Sequence, residues 1–183
     1  LGCSIGLAAT RSGKMKTLYC VQDAANALCH QECAFTNKGL HHMGAGDAEG
    51  QSGGSAADCN ALGFRTALPA VLHEHRPALV FFSGGPAQQP SWCPDCRRVA
   101  PLVEEAAAAA GVLLLRVDVG DRTAWKDPEH AFRTAPDLQL ACVPTLVWAD
   151  REQGLGPALG PEIEKCEGAA ELRAAVFQFV QRG

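Results

Sequence analysis

Short apolar runs bounded by glycine and proline alternate with stretches of helical periodicity from about residue 58 onward. Phe64, Leu68, Val71 and Leu72 recur at the spacing of one helix face, and that helix has to end before Pro77. Residues 78–82 are unbroken apolar sequence, the pattern of a strand covered on both faces of a sheet. A loop rich in Gly, Pro and Gln follows over 83–90. The spacing then predicts a helix that opens at Pro94, carries Val99, Leu102 and Val103, stops at Gly111 and bends at Pro101. Residues 112–119 predict a second strand, and 121–135 a polar segment with one or two helical turns. A third strand runs over 143–148 with a proline at its mouth. A weaker strand is expected within 156–166, then an amphipathic helix over 168–181 presenting Leu172, Val176, Phe179 and Val180.

The first 56 residues pattern differently. A short helix over 21–34 would set Val21, Ala25 and Leu28 on one face. Residues 40–55 are rich in Gly, Ala, Ser and His and nearly free of large apolar side chains, the composition of a flexible linker. The expected organisation is a flexible, irregular extension over 1–56 followed by one domain over 57–183. Gly44 and Gly46 lack the remaining residues of a phosphate loop. Arg11, Lys14 and Lys16, with no acid before Asp23, weakly resemble a transit peptide, whereas the apolar core of a secretory signal is missing. The whole chain, 183 residues long, can bury one proper core. Its formal charge of −4, with both signs interspersed, argues against nucleic acid or an anionic membrane as partner. No apolar run approaches the ~18–20 residues that span a bilayer.

Chemistry concentrates in Ser91-Trp92-Cys93-Pro94-Asp95-Cys96. Two cysteines two residues apart, behind a tryptophan and opening a helix, suit thiol–disulfide exchange. With Cys93 as the helix N-cap, its sulfur can accept a backbone N–H of the first turn, and the helix dipole favours an anion there. Pro94 falls at the first helical position, where its missing N–H is harmless. Asp95 is an acid in the first turn, and Cys96 is within bonding reach of Cys93. The thiolate, the form that attacks disulfides, is favoured at Cys93.

Of nine cysteines, Cys3, Cys20, Cys29, Cys33 and Cys59 lie before residue 60, and the rest of the chain holds Cys93, Cys96, Cys142 and Cys166. That distribution suits one redox pair in a reducing compartment better than a disulfide scaffold. A zinc site would need a second pair at ligand spacing. Cys20, Cys29, His30, Cys33, His130, Cys142 and Cys166 supply only loose matches.

Strand, CxxC helix, strand, strand, strand and helix, behind a leading helix, is the order of a thioredoxin fold, an α/β architecture with a mixed sheet flanked by helices. Val143-Pro144-Thr145 makes the assignment specific. In that fold a cis proline faces the CxxC, and a proline there also leaves an edge open for a partner strand.

Trp92-Cys93-Pro94-Asp95-Cys96 with Ser91 before it, Val119-Gly120-Asp121-Arg122, Trp125-Lys126-Asp127-Pro128, Phe132-Arg133 and Val143-Pro144-Thr145-Leu146 together resemble the thioredoxin-related proteins of fourteen kilodaltons. The resemblance covers the chain from about Asp58 to its C-terminus. It implies Cys93 as nucleophile and Cys96 as resolving thiol, with Trp92, Pro94, Asp95, Val143 and Pro144 shaping the site. It implies a monomeric disulfide reductase that binds no cofactor. Its redox-active Cys93–Cys96 pair would draw electrons indirectly from NADPH through thioredoxin reductase and act on protein disulfides and small disulfides such as cystine. The expected location is the cytoplasm, or an organelle if the basic N-terminus is a transit peptide. One departure from thioredoxins stands out. They keep a buried acid six residues before the first cysteine, where this chain has Ala87, so proton transfer falls to Asp95 or water. The rival readings are a peptide-binding module with an idle CxxC, and a cysteine-ligated zinc protein.

Overall fold

A strand buried along its whole length needs cover on both faces and a neighbour on each edge, and Ala-Leu-Val-Phe-Phe-Ser meets both needs here. The computed structural model describes residues 3–9, 16–22, 56–74, 77–85 and 90–183, with the backbone alone for 3–9, 16–22, 56–60 and 62. In chain order the elements are β1 Cys3–Ala9, β2 Lys16–Gln22, α1 Ala56–Glu74, β3 Ala78–Ser83, α2 Pro94–Ala110 and β4 Leu113–Asp118. There follow α3 Arg122–Lys126, α4 Ala131–Thr134, β5 Thr145–Asp150, β6 Gly154–Leu159, α5 Pro161–Lys165 and α6 Ala169–Arg182. The sheet order is β1-β2-β4-β3-β5-β6. β4 pairs in parallel with both β2 and β3, and the remaining pairs are antiparallel. From β2 to α6 this is the thioredoxin fold.

Strand alternation divides the core. Val80, Phe82, Leu115, Val117 and Val147 face α1, α3 and α4, while Leu79, Phe81, Leu114, Leu146 and Trp148 face α2 and α6. On the first face Phe64, Phe82 and Phe132 meet edge to face, with centroids 5.3, 5.4 and 6.1 Å apart. Each such pair is worth about 0.5–1.5 kcal/mol beyond the area it buries. On the second face Val99, Val103, Ala106 and Ala107 of α2 pack with Leu172, Val176 and Val180 of α6. The small alanines let α2 lie close to the strands. α2 runs unbroken through Pro101 and ends at Gly111, whose φ of 69° is the left-handed cap that a side chain would resist.

The N-terminal segment differs from the expected flexible extension over 1–56. β2 lies beside β4, pairing Thr17 to Cys20 with Leu114 to Val117, and β1 pairs antiparallel along β2. The strand formers Thr17, Leu18, Tyr19 and Val21 carry that pairing, and the open parallel edge of β4 receives it. Val21 and Gln22 are therefore strand, not the start of a helix; the remainder of the helix expected over 21–34, and the linker expected over 40–55, lie outside the described residues. The late strand within 156–166 begins earlier, at Gly154, and Pro161 opens a short helix, α5, in its second half. Among the described residues no helix is long and apolar enough to cross a membrane, and no three His, Cys, Asp or Glu side chains gather as a metal site.

A candidate dithiol active site

Cys93 occupies the N-cap of α2, with extended backbone (φ −88°, ψ 115°), and its sulfur accepts the N–H of Cys96 at 3.1 Å. Both cysteines are free thiols, 5% and 1% exposed. When protonated, Cys93 points its S–H at the carbonyl of Val143, 3.5 Å away. The Val143–Pro144 peptide bond is cis, and both residues are buried. The structure therefore brings Cys93, Cys96 and Val143 into contact at the mouth of β5. Pro94 is exposed at the first helical position. Asp95, half-buried, pairs with Arg98, 3.4 Å from its guanidinium.

The two thiols titrate far apart. The Cys93 thiol is lowered from 9.0 to about 7, first by a hydrogen bond from the Cys96 side chain and next, against burial, by the Cys96 amide. Asp95 acts in both senses, its carboxylate raising the Cys93 value and its backbone N–H lowering it. Cys96 is pushed far above the ordinary thiol range, first by donating to Cys93 and second by burial. One sulfur is thus ready as an anion at neutral pH, and the other holds its proton.

Trp92 is anchored at the ends of two neighbouring strands. Its indole N–H donates to the carbonyl of Gly120 at 2.8 Å. Its ring lies on Gly84, where a Cβ would come within 2.4 Å of the ring carbons, so only glycine fits. Asp118 joins those strand ends, one carboxylate oxygen accepting the amides of Gly85 at 2.9 Å and Gly120 at 2.8 Å. Burial, the largest cause, raises the Asp118 pKa against these two bonds. Ser91, 8% exposed, donates its hydroxyl to the carbonyl of Gly84 and accepts the Cys93 amide at 3.1 Å. Arg97 donates to the Ser91 carbonyl.

A second clamp holds the proline loop. Arg133 lies over the Trp125 ring at 4.2 Å and donates to the carbonyls of Trp125 at 3.1 Å and Ala141 at 3.3 Å. It thereby ties the segment after β4 to the residues leading into Val143. Buried His130 accepts the Phe132 amide at Nδ1, so the neutral ring donates from Nε2 to the Val119 carbonyl at 2.8 Å. Sequence reasoning weighed His130 only as a metal ligand, and passed over Gly84 and the side-chain bonds of Ser91 and Asp118. A hydroxyl two residues before a helix N-cap and an acid at a strand end were the visible signals. Neither reveals its partner without the fold.

A reduced dithiol at the start of a helix, beside a cis-proline in a mixed sheet, defines a thioredoxin domain with its redox motif in place. Within that class the chain belongs to the thioredoxin domain-containing protein 17-like family, whose thioredoxin domain matches residues 60–159. It is similar to thioredoxin domain-containing protein 17 of Mus musculus, 34% identical over 94 residues that cover 49% of this chain and 75% of the mouse protein. It is also similar to the thioredoxin-like protein Clot of Oryza sativa subsp. japonica, 41% identical over 63 residues, or 31% of this chain. That alignment spans 45% of the rice protein's length. Thioredoxin O2 from Arabidopsis thaliana in its oxidised state superposes with a TM-score of 0.41 and 17% identity, over 66% of this chain and 89% of that one, a likeness too slight to bear on function.

Proposed function

We propose that this protein is a thiol–disulfide oxidoreductase working as a reductase of protein and small-molecule disulfides through Cys93 and Cys96. The observation that carries the reading is the division of labour between the two sulfurs. Cys93 is lowered to about 7 at the N-cap of α2, while Cys96 stays protonated 3 residues on, its amide on the Cys93 sulfur. The Cys93 thiolate attacks one sulfur of a substrate disulfide lying beside Val143 and Pro144. A Cys93–substrate disulfide forms, and the first substrate thiolate leaves and takes up a proton. Cys96 then gives up its proton and attacks the Cys93 sulfur, releasing the second substrate thiolate. Two electrons have passed from the dithiol to the substrate. A reductase of the thioredoxin reductase type, fed by NADPH, returns them with two protons. Trp92, Pro94 and Asp95 shape the approach to Cys93, and the cytoplasm, as a reducing compartment, suits a monomer of this kind.

The test is NADPH oxidation coupled through thioredoxin reductase, with cystine and insulin as competing substrates. The wild-type protein is expected to turn over, Cys93→Ser to be inactive because a hydroxyl is too weak a nucleophile at neutral pH, and Cys96→Ser to accumulate a mixed disulfide on Cys93. Normal turnover by both variants would refute the assignment. Binding of disulfide peptides with no turnover by the wild type would favour a peptide-binding module instead.

A further inference from the structure

Three successive carbonyls lead the chain into β5, and each meets a different side chain. That of Ala141 accepts the Arg133 guanidinium at 3.3 Å, that of Cys142 the Thr145 hydroxyl at 2.8 Å, and that of Val143 the Cys93 thiol at 3.5 Å. Thr145 is a local partner, and Cys93 is the reagent itself. Arg133 reaches in from α4. It is half-buried, its guanidinium lies over the Trp125 ring at 4.2 Å, and its Nε–H donates to the Trp125 carbonyl at 3.1 Å. One planar group thus joins the segment after β4 to the approach to the cis proline. The Leu140 amide, on the Phe132 carbonyl at 3.0 Å, holds the same loop one residue earlier. Just ahead, Gln139 sits at a φ of 46°, the left-handed region a side chain resists, so the loop follows a course the isolated segment would not favour.

We infer that Arg133 is a positioning residue for substrates that carry a peptide chain: its guanidinium fixes the Ala141 carbonyl, and through it the Val143 backbone, where an extended segment can pair while its disulfide lies on Cys93. The inference rests on the exchange reading above and names a substrate class for it. Pro144 has no N–H, so a strand laid along this edge has to be recognised through Val143. The Val143 carbonyl is 3.5 Å from the attacking sulfur, so any shift of that backbone shifts a bound peptide relative to Cys93, and attack is sensitive to small misplacements. A small symmetrical disulfide has no backbone to pair and meets Cys93 alone. Arginine suits the place because its planar fork stacks on Trp125 and donates in two directions at once. A lysine ammonium would keep a charge over the ring without the fixed fork. The two carbonyls and the ring that Arg133 engages are not part of the dithiol, so its loss leaves the nucleophile itself unaltered.

The experiment compares two substrates with one leaving group. The first is a short linear peptide whose central cysteine is joined to a chromogenic aromatic thiol; the second is the symmetrical disulfide of that thiol. Cys93 attack releases the same coloured thiolate from both, and stopped-flow absorbance follows it for wild type, Arg133→Ala and Arg133→Lys. Hydrogen bonds from charged donors are strong enough that Arg133→Ala is expected to raise the half-saturating concentration of the peptide about tenfold, with its maximal rate and the rate on the symmetrical disulfide changed by less than about twofold. Arg133→Lys, which keeps the charge and guards against a variant that fails to fold, is expected to recover less than half of that loss. Equal slowing on both substrates would mark a merely structural arginine and overturn the inference. An unchanged peptide response in Arg133→Ala would do the same, as would full recovery in Arg133→Lys, which would make the charge and not the fork the active feature. A wild-type protein that releases thiolate from neither substrate would instead refute the exchange reading itself.

Discussion

Replacing Cys96 by alanine removes the largest influence on the Cys93 thiol and leaves the backbone N–H that also reaches it at 3.1 Å. Cys93 is then expected to climb from about 7 back toward 9.0. A rise of about one pH unit, equivalent to ~1.4 kcal/mol, cuts the thiolate fraction at neutral pH from roughly half to roughly a tenth. The same rise makes each thiolate a better nucleophile, by about threefold for a Brønsted coefficient of ~0.4–0.5. The two effects oppose, so the first attack should slow only about twofold at neutral pH and run about threefold faster in alkali, where both proteins are fully ionised. The signature is a pair of pH–rate curves that cross. Stopped-flow release of an aromatic thiolate reads the rate, and the thiolate absorbance of Cys93 reads the titration. Superimposed curves would mean that the Cys96 side chain does not hold the Cys93 anion. A variant slower by one constant factor at every pH would point to a displaced sulfur.

Asp95→Asn removes a carboxylate that raises the Cys93 pKa. Because that carboxylate is half-exposed and paired with Arg98, the effect should be small. A drop of about 0.1–0.7 pH units, from ~0.2–1 kcal/mol, is expected in the same titration, with a faster first attack on the acid side; a rise would reverse the assigned sign. Deleting residues 1–22 strips β2 from the edge of β4, where Thr17 to Cys20 pair with Leu114 to Val117. At about 1 kcal/mol per hydrogen bond lost, stability should fall by roughly 2–4 kcal/mol, read as a lower urea midpoint. An unchanged midpoint would show that the extension adds nothing to the domain.

The parts of the fold that announce themselves in sequence are those whose surroundings are local or uniform. β3 is apolar throughout because it is buried on both faces, and α2 advertises its start by Cys93-Pro94 and its end by Gly111. The step at Val143 and Pro144 was legible for the same reason. β2 was not: Leu18 finds Leu115 across a separation of nearly a hundred residues, and nothing near residue 18 records that partner. β6 was only half legible, since an exposed edge strand carries little apolar signal. In the site, the cysteines could be read from their spacing. Ser91, Gly84 and Asp118 could not, because each acts through a backbone group that is chemically identical at every position of the chain.

Cys93 is at once the cap of a helix and the reagent that the helix serves. A cap normally persists for the life of the fold, but here each oxidation exchanges the capping anion for a neutral sulfur bonded to its neighbour. Folding and reduction are therefore thermodynamically linked: whatever the folded chain gains by holding a thiolate at that cap, it gains only while it carries its two electrons. The same bonds that lower the Cys93 thiol stabilise the dithiol against the disulfide to the extent that Cys93 is ionised, so the helix start acts as a setting for how readily the protein gives up electrons. A change anywhere in the first turn of α2 that weakens the cap would make it a keener donor and, in the same stroke, a less stable protein.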